Sequence, residues 1–294
     1  MTPGPVRDLC VAGLVYFEVF VPGAHLPGPG EEVFVERLRM GLGGALNTAS
    51  VARALGLDTV LAYPRGGGLT DIAIASCLRR LGVSARTWPA REDPAVSLVL
   101  SSPEDRSFIS AADFEALGRC GDLPRARWLH IPGLAEARFL AAPMARARAA
   151  GARISVSGSW SPGELARLAA MTSCPWDLLV LNAKEAALAA GDPRQAPARL
   201  AGAAARSVLV TAGADGAFGI LDGAEVHAPA DAAEVREFTG AGDAFCAGLL
   251  AALLRGLEGE AAVALGCRTA GRILGQAGGV ALDPARFSDL REAP

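Results

Sequence analysis

Short apolar runs alternate along this chain with stretches whose apolar residues recur every three or four positions. The runs at residues 9–15, 59–63, 128–131, 153–156, 178–181 and 208–211 lack the polar alternate face of a half-exposed strand, so they predict strands buried on both sides. Between them, residues 45–55, 72–81, 135–150 and 184–190 have the helical period, and residues 241–257 and 260–276 predict two longer helices. Strand and helix in regular succession predict an α/β fold, with a doubly wound, mostly parallel central sheet flanked by helices.

Two regions break this rhythm. Residues 17–39 contain Pro22, Pro27 and Pro29 with several glycines, and residues 96–111 place apolar runs on either side of Pro103-Glu104-Asp105. Both predict extended segments joined by turns, and together a small projecting β-sheet lid, at about 16–40 and 95–112, over the ligand edge of the main sheet. No repeat, low-complexity tract or linker divides residues 1–294, so a single domain is expected.

Composition narrows the chemistry. Hydrophobic residues make up 51% of the 294 positions, enough for a large core, and the net charge of −3 gives no positive field for nucleic acid. Lys184 is the single lysine, which excludes a Walker-type phosphate loop and the lysine-bearing strand of protein kinases. The six cysteines and three histidines are scattered without metal-ligand spacing or a disulfide framework, so reduced thiols and a cytoplasmic setting are expected. The apolar run from Leu9 to Phe17 imitates a signal-peptide core, but Asp8 and Glu18 bracket it and no clean cleavage site follows. No run reaches the length of a membrane span.

The most informative segment is Glu237-Phe238-Thr239-Gly240-Ala241-Gly242-Asp243-Ala244-Phe245, where a loop turns into a helix. Small residues at a helix N-terminus let backbone amides approach an anion, and a carboxylate in the first turn also complements the helix dipole. Gly240-x-Gly242 begins a dinucleotide fingerprint, but Phe245 stands where its third glycine belongs and the segment is far from the first strand. Asn182-Ala183-Lys184-Glu185 follows a predicted strand and has the spacing of a helix capping box.

Residues 240–245 match the C-terminal signature Asp-Thr-x-Gly-Ala-Gly-Asp-Ala-Phe of the ribokinase-like (PfkB) carbohydrate kinases, which this chain resembles over nearly its whole length. The resemblance implies ATP as donor, Asp243 as catalytic base, and amides of Gly240, Ala241 and Gly242 around the moving phosphate. Glu237 and Phe238 replace the signature's first aspartate and threonine, near which a monovalent cation can bind in such a fold. Asn182 and Glu185 resemble the family's Asn-x-x-Glu, which organises magnesium and the ATP phosphates, and Thr211, Gly213 and Gly216 its Thr-x-Gly-x-x-Gly turn along the nucleotide. Leu26-Pro27-Gly28-Pro29-Gly30-Glu31 looks like its lid phrase. Gly43 and Asn47 resemble its sugar-binding Gly-Gly-x-x-x-Asn with Leu42 at one glycine, and Glu18 stands for an aspartate that binds sugar hydroxyls.

The expected activity is therefore phosphorylation of a primary hydroxyl on a small sugar or sugar derivative. Nucleoside kinases share the fold and are the alternative; a non-catalytic binding relative is the third reading. Nucleosides call for an aromatic wall, and only 5% of the chain is aromatic. Arg106, at the lid turn, reads as a solvated arginine rather than a core site residue, and the lid edge suggests a homodimer.

Overall fold

The structure, a computed structural model, describes residues 4–22, 27–101, 106–231 and 234–291, with residues 101 and 106 described in their backbone alone. Leu26, the turn at 103–105 and the side chain of Arg106 thus lie outside the described residues. In chain order the strands are β1 (Arg7–Ala12), β2 (Val15–Pro22), β3 (Arg39–Gly44), β4 (Thr59–Arg65), β5 (Ser84–Pro89), β6 (Ala95–Ser101), β7 (Arg106–Ala112), β8 (Ala126–Ile131), β9 (Arg153–Ser157), β10 (Trp176–Asn182), β11 (Ala205–Thr211), β12 (Ala217–Leu221) and β13 (Ala224–Ala228). The helices are α1 (Ala45–Ala54), α2 (Leu69–Leu81), α3 (Phe114–Gly118), α4 (Leu134–Phe139), α5 (Ala141–Ala149), α6 (Pro162–Leu168), α7 (Ala183–Ala190), α8 (Ala196–Leu200), α9 (Ala241–Leu254), α10 (Gly259–Leu274) and α11 (Ser288–Arg291).

A 9-stranded sheet runs in the order β13-β12-β11-β10-β9-β8-β1-β4-β5. It is parallel from β11 to β5, and an antiparallel hairpin, β12 and β13, closes the other edge. Strand burial explains the continuous apolar runs: Leu9 and Val11 of β1 enter one core while Cys10 and Ala12 enter the other, and β4 divides Leu61 and Tyr63 from Val60 and Ala62 in the same way. The first core includes Leu46, Leu249 and Val263 of α1, α9 and α10; the second includes Leu134, Leu165 and Ala186 of α4, α6 and α7. From β1 the chain builds outward to β4 and β5, then returns to β8 on the other side. Ligands of open α/β sheets bind at such a reversal, outside the carboxyl ends of the strands.

The second sheet, in the order β3-β2-β6-β7, is the expected lid. Its outer pairs are antiparallel and β2 runs parallel to β6. One row across it is Met40, Val19, Leu98 and Ile109, apolar and largely exposed; the next is Gly41, Glu18, Ser97 and Ser110, on the opposite face, with Glu18 and Ser97 buried.

The structure corrects several boundaries. The run at 9–15 divides between two sheets, because the main chain of Leu14 is tied to the Glu136 carboxylate and to Ala45, and Val15 already belongs to β2. The helix expected over 135–150 breaks at Leu140: Pro143 has no N–H for the Phe139 carbonyl and fits only a first turn, so α5 starts afresh. Residues 27–38 hold no strand, so the lid sheet is smaller than its segments, and α9 and α10 end at Leu254 and Leu274. Among the described residues no helix is long and apolar enough to cross a membrane.

Leu249 is fully buried where α9 meets the sheet. Leu249→Ala should lower stability by about 2–5 kcal/mol, seen as a lower urea midpoint at unchanged m-value.

Candidate active site

The loop before α9 turns at Gly240, the N-cap, with φ 79° and ψ 3°. A side chain there would meet a left-handed backbone and fall onto Gly279 Cα, so glycine is required twice over. Ala241, Gly242 and Asp243 are the first three residues of α9, where N–H groups have no partner within the helix. Asp243 faces α1: Asn47 Nδ2 donates to its Oδ2 at 2.9 Å, and Thr48 Oγ1 lies 3.4 Å from Oδ1, at the long limit of a hydrogen bond. Burial pushes the carboxyl of Asp243 up to about 6, against the opposing pull of Asn47 and Thr48.

Beyond α1, the lid brings Glu18 directly over Gly43, where a Cβ would lie 2.6 Å from the carboxylate carbon. The expected pair Glu18 and Gly43 therefore meets on neighbouring lid strands, β2 and β3. Asn47 is 3% exposed, and its Oδ1 has no hydrogen-bond partner among the described residues.

On the other side of the crevice, Asn182 and Thr211 sit side by side in register at the carboxyl ends of β10 and β11. Asn182 and Glu185 form a full capping box: Glu185 N donates to Asn182 Oδ1 and Asn182 N to Glu185 Oε2, each at 2.9 Å. Burial raises the carboxyl of Glu185 above the usual range; both hydrogen bonds with Asn182 oppose this and the charge of Asp243 adds to it, so the two acids sense one another. Gly213 opens a single 3-10 turn after β11, and Gly216 closes it through the Ala212 N–H to Gly216 carbonyl bond. The residues expected at the nucleotide end thus share one edge.

Three features escaped the sequence. Glu136, in the first turn of α4, is 6% exposed and accepts the Leu14 N–H at 2.7 Å. Its signal was lost inside the apparent long helix. Arg39 of β3 pairs with Glu237 at 2.6 Å while its guanidinium lies 3.6 Å from the Phe20 ring centroid. Glu237 Oε2 also accepts the Gly278 N–H, and its Oε1 the Thr239 hydroxyl at 2.6 Å. The carboxylate expected beside a monovalent cation is therefore engaged by a guanidinium. Gly278 and Gly279 back this loop; a Cβ on Gly279 would come within 2.7 Å of the Asn47 side chain. Among the described residues no three His, Cys, Asp or Glu side chains group as metal ligands.

The arrangement is a carboxylate in the first turn of a helix, between the Glu18, Gly43 and Asn47 side and an Asn/Thr edge. The family model described as pfkB family carbohydrate kinase matches residues 6–286. The chain belongs to the pfkB family of carbohydrate kinases. That family is one of phosphotransferases, and its ribokinase-like α/β fold with a small lid sheet is the one described above. Ribokinase of Arabidopsis thaliana, solved with ribose and ATP, superposes with a TM-score of 0.76 at 20% identity, covering 98% of this chain and 99% of that one. Adenosine kinase of Sinorhizobium meliloti gives 0.78 at 19%, with 97% and 99% covered. At these identities both likenesses concern the fold. A 1-phosphofructokinase of Haloferax volcanii is 45% identical over 71 residues, 24% of this chain, and the matched stretch spans only 23% of that relative.

In this pfkB family member the turn at Gly240 sets the start of α9. Gly240→Ala should lower stability by about 1–3 kcal/mol through strain and the clash with Gly279, while Gly242→Ala, whose Cβ meets open space, should not. Thermal unfolding of the two variants checks this.

Proposed function

We propose that this pfkB kinase transfers the terminal phosphate of ATP to a primary hydroxyl of a small sugar or sugar derivative, with Asp243 as general base. The observation that supports it most is the Asn47 to Asp243 hydrogen bond. It fixes one carboxylate, with a proton affinity close to working pH, in the first turn of α9 at the helix N-terminus.

In this reading Glu18, Gly43 and Asn47 hold the acceptor, and Asp243 takes the proton of the attacking hydroxyl. Amides at Gly240, Ala241 and Gly242 surround the moving phosphate, so charge develops where dipoles already point. Asn182, Thr211, Gly213 and Gly216 border the nucleotide. Glu185 uses Oε2 in the capping box, which leaves Oε1 as the oxygen for a single carboxylate contact to magnesium through water. Magnesium, when bound, neutralises phosphate charge. Arg39 on Glu237 speaks against a monovalent cation at that carboxylate.

Residues 1–294 act in this reading as one kinase domain. The free cysteines support a cytoplasmic setting. The exposed apolar row through Met40 and Ile109 supports pairing of two lids in a homodimer.

Asp243 must be unprotonated to act as base, so activity is present above its pKa and lost as pH falls through it. With Mg-ATP and a panel of sugars, sugar acids and nucleosides, ADP should form with a sugar acceptor. Its kcat/KM should approach a plateau near pH 7 and fall about tenfold per unit well below pH about 6. Silence with every acceptor, or a level profile from pH 5 to 7, would contradict the reading.

A further inference from the structure

Glu136 is not accounted for by the roles above. It enters from α4 to the carboxyl end of β1, where a Cβ on Gly13 would lie 2.9 Å from its Oε1 and one on Gly133 would lie 3.0 Å from its Oε2. Glycine on both sides makes the space it occupies. Leu14 N–H holds Oε1, and Oε2 lies on the Gly133 side.

Its surroundings place it in the acceptor end of the crevice. Burial raises the Tyr16 phenol most, but the charges of Glu136 and Glu18 both add to the shift, so this ring stands near both acids. Glu136 in turn senses Asp243. Asn47, bonded to Asp243, keeps its buried Oδ1 without a partner among the described residues. A buried acceptor without a donor is costly, and a ligand carrying several O–H groups supplies what is missing.

We propose that Glu136 is a further acceptor-binding residue, and that Glu18 and Asp243 beside it select an uncharged polyhydroxylated acceptor over a phosphorylated one. This rests on the kinase reading of the same site. A phosphate on the acceptor would add about two negative charges beside the Glu18 and Asp243 side chains in a medium that screens poorly. Arg39, the base that the lid brings toward this edge, is held by Glu237.

The protonation state sharpens the expectation. Burial pushes Glu136 up to about 8; the Leu14 N–H opposes this and Asp243 adds to it. At neutral pH the group is mainly the neutral acid, which donates to one hydroxyl oxygen or accepts from another. Glutamine keeps that shape and donor, whereas alanine removes both.

Calorimetric titration of acceptor, with steady-state kinetics beside it, tests this on the full chain. Glu136→Ala should weaken acceptor binding and raise its KM at least tenfold with the KM for ATP unchanged, and Glu136→Gln should stay within about threefold of wild type. In the wild type, a phosphorylated sugar should show kcat/KM at least a hundredfold below its unphosphorylated parent. Equal acceptor affinity in wild type and Glu136→Ala, or preference for the phosphorylated sugar, would overturn the proposal. If Glu136→Ala does not fold, the wild-type comparison still decides the charge selection, and a loss of affinity above tenfold in Glu136→Gln would overturn the neutral-acid role. Acceptor binding that depends on Glu136 without any turnover would instead count against the kinase reading alone.

Discussion

The hydrogen bond from Asn47 to Asp243 joins two helix N-termini that are 196 residues apart in the chain, and the geometry of the site follows from it. Neither partner is placed by local structure alone. Asn47 is fixed because α1 begins where the lid strand β3 ends, and Asp243 because Gly240 turns the chain into α9. Packing of α1 against α9 over the same core face keeps the two together. A carboxylate set among apolar helices would rather be neutral, and two weak donors restrain that tendency without cancelling it. The result is a carboxyl that titrates at about 6 instead of a fully ionised surface acid.

The lid belongs to the same mechanical unit. Arg39, stacked on Phe20, reaches from β3 to Glu237, and Glu237 also holds Thr239 and the Gly278 amide. Thr239 leads into the Gly240 turn, and Gly279 backs both that turn and Asn47. The lid, the Gly240 loop and Asp243 are thus linked through contiguous contacts. Replacing the signature's aspartate by Glu237 lengthens the side chain by one methylene, and here that longer side chain is met by an arginine. The departure seen in the sequence is compensated within the chain itself.

How much of this was legible depended on where the signal lay. The interior strands β1, β4 and β8 to β11 were readable because burial on both faces leaves an unbroken apolar run. Edge elements were not: β5 is Ser-Ala-Arg-Thr-Trp-Pro with a mostly exposed face, and β12 with β13 is a short hairpin whose outer residues meet solvent. The break at Leu140 was hidden because residues 135–150 keep a helical period across it, although Pro143 carried the local clue. Glu136 was lost with that break, since its role depends on standing in a first turn beside β1. The 240–245 segment was legible because glycine spacing and a first-turn carboxylate are local features. Asn47, which bonds Asp243, and Arg39, which pairs with the preceding Glu237, are distant in sequence, and only the assembled sheets bring them there.

The base assignment is the claim on which the rest turns, and Asp243→Asn isolates it, because the amide keeps the shape of the side chain and loses the proton acceptor. The measurement is single-turnover phosphoryl transfer in wild type and variant, with ATP affinity determined alongside. The account predicts a loss of at least a hundredfold in the transfer rate with ATP affinity little changed. Transfer within a few fold of wild type would contradict it and move the base elsewhere in the crevice.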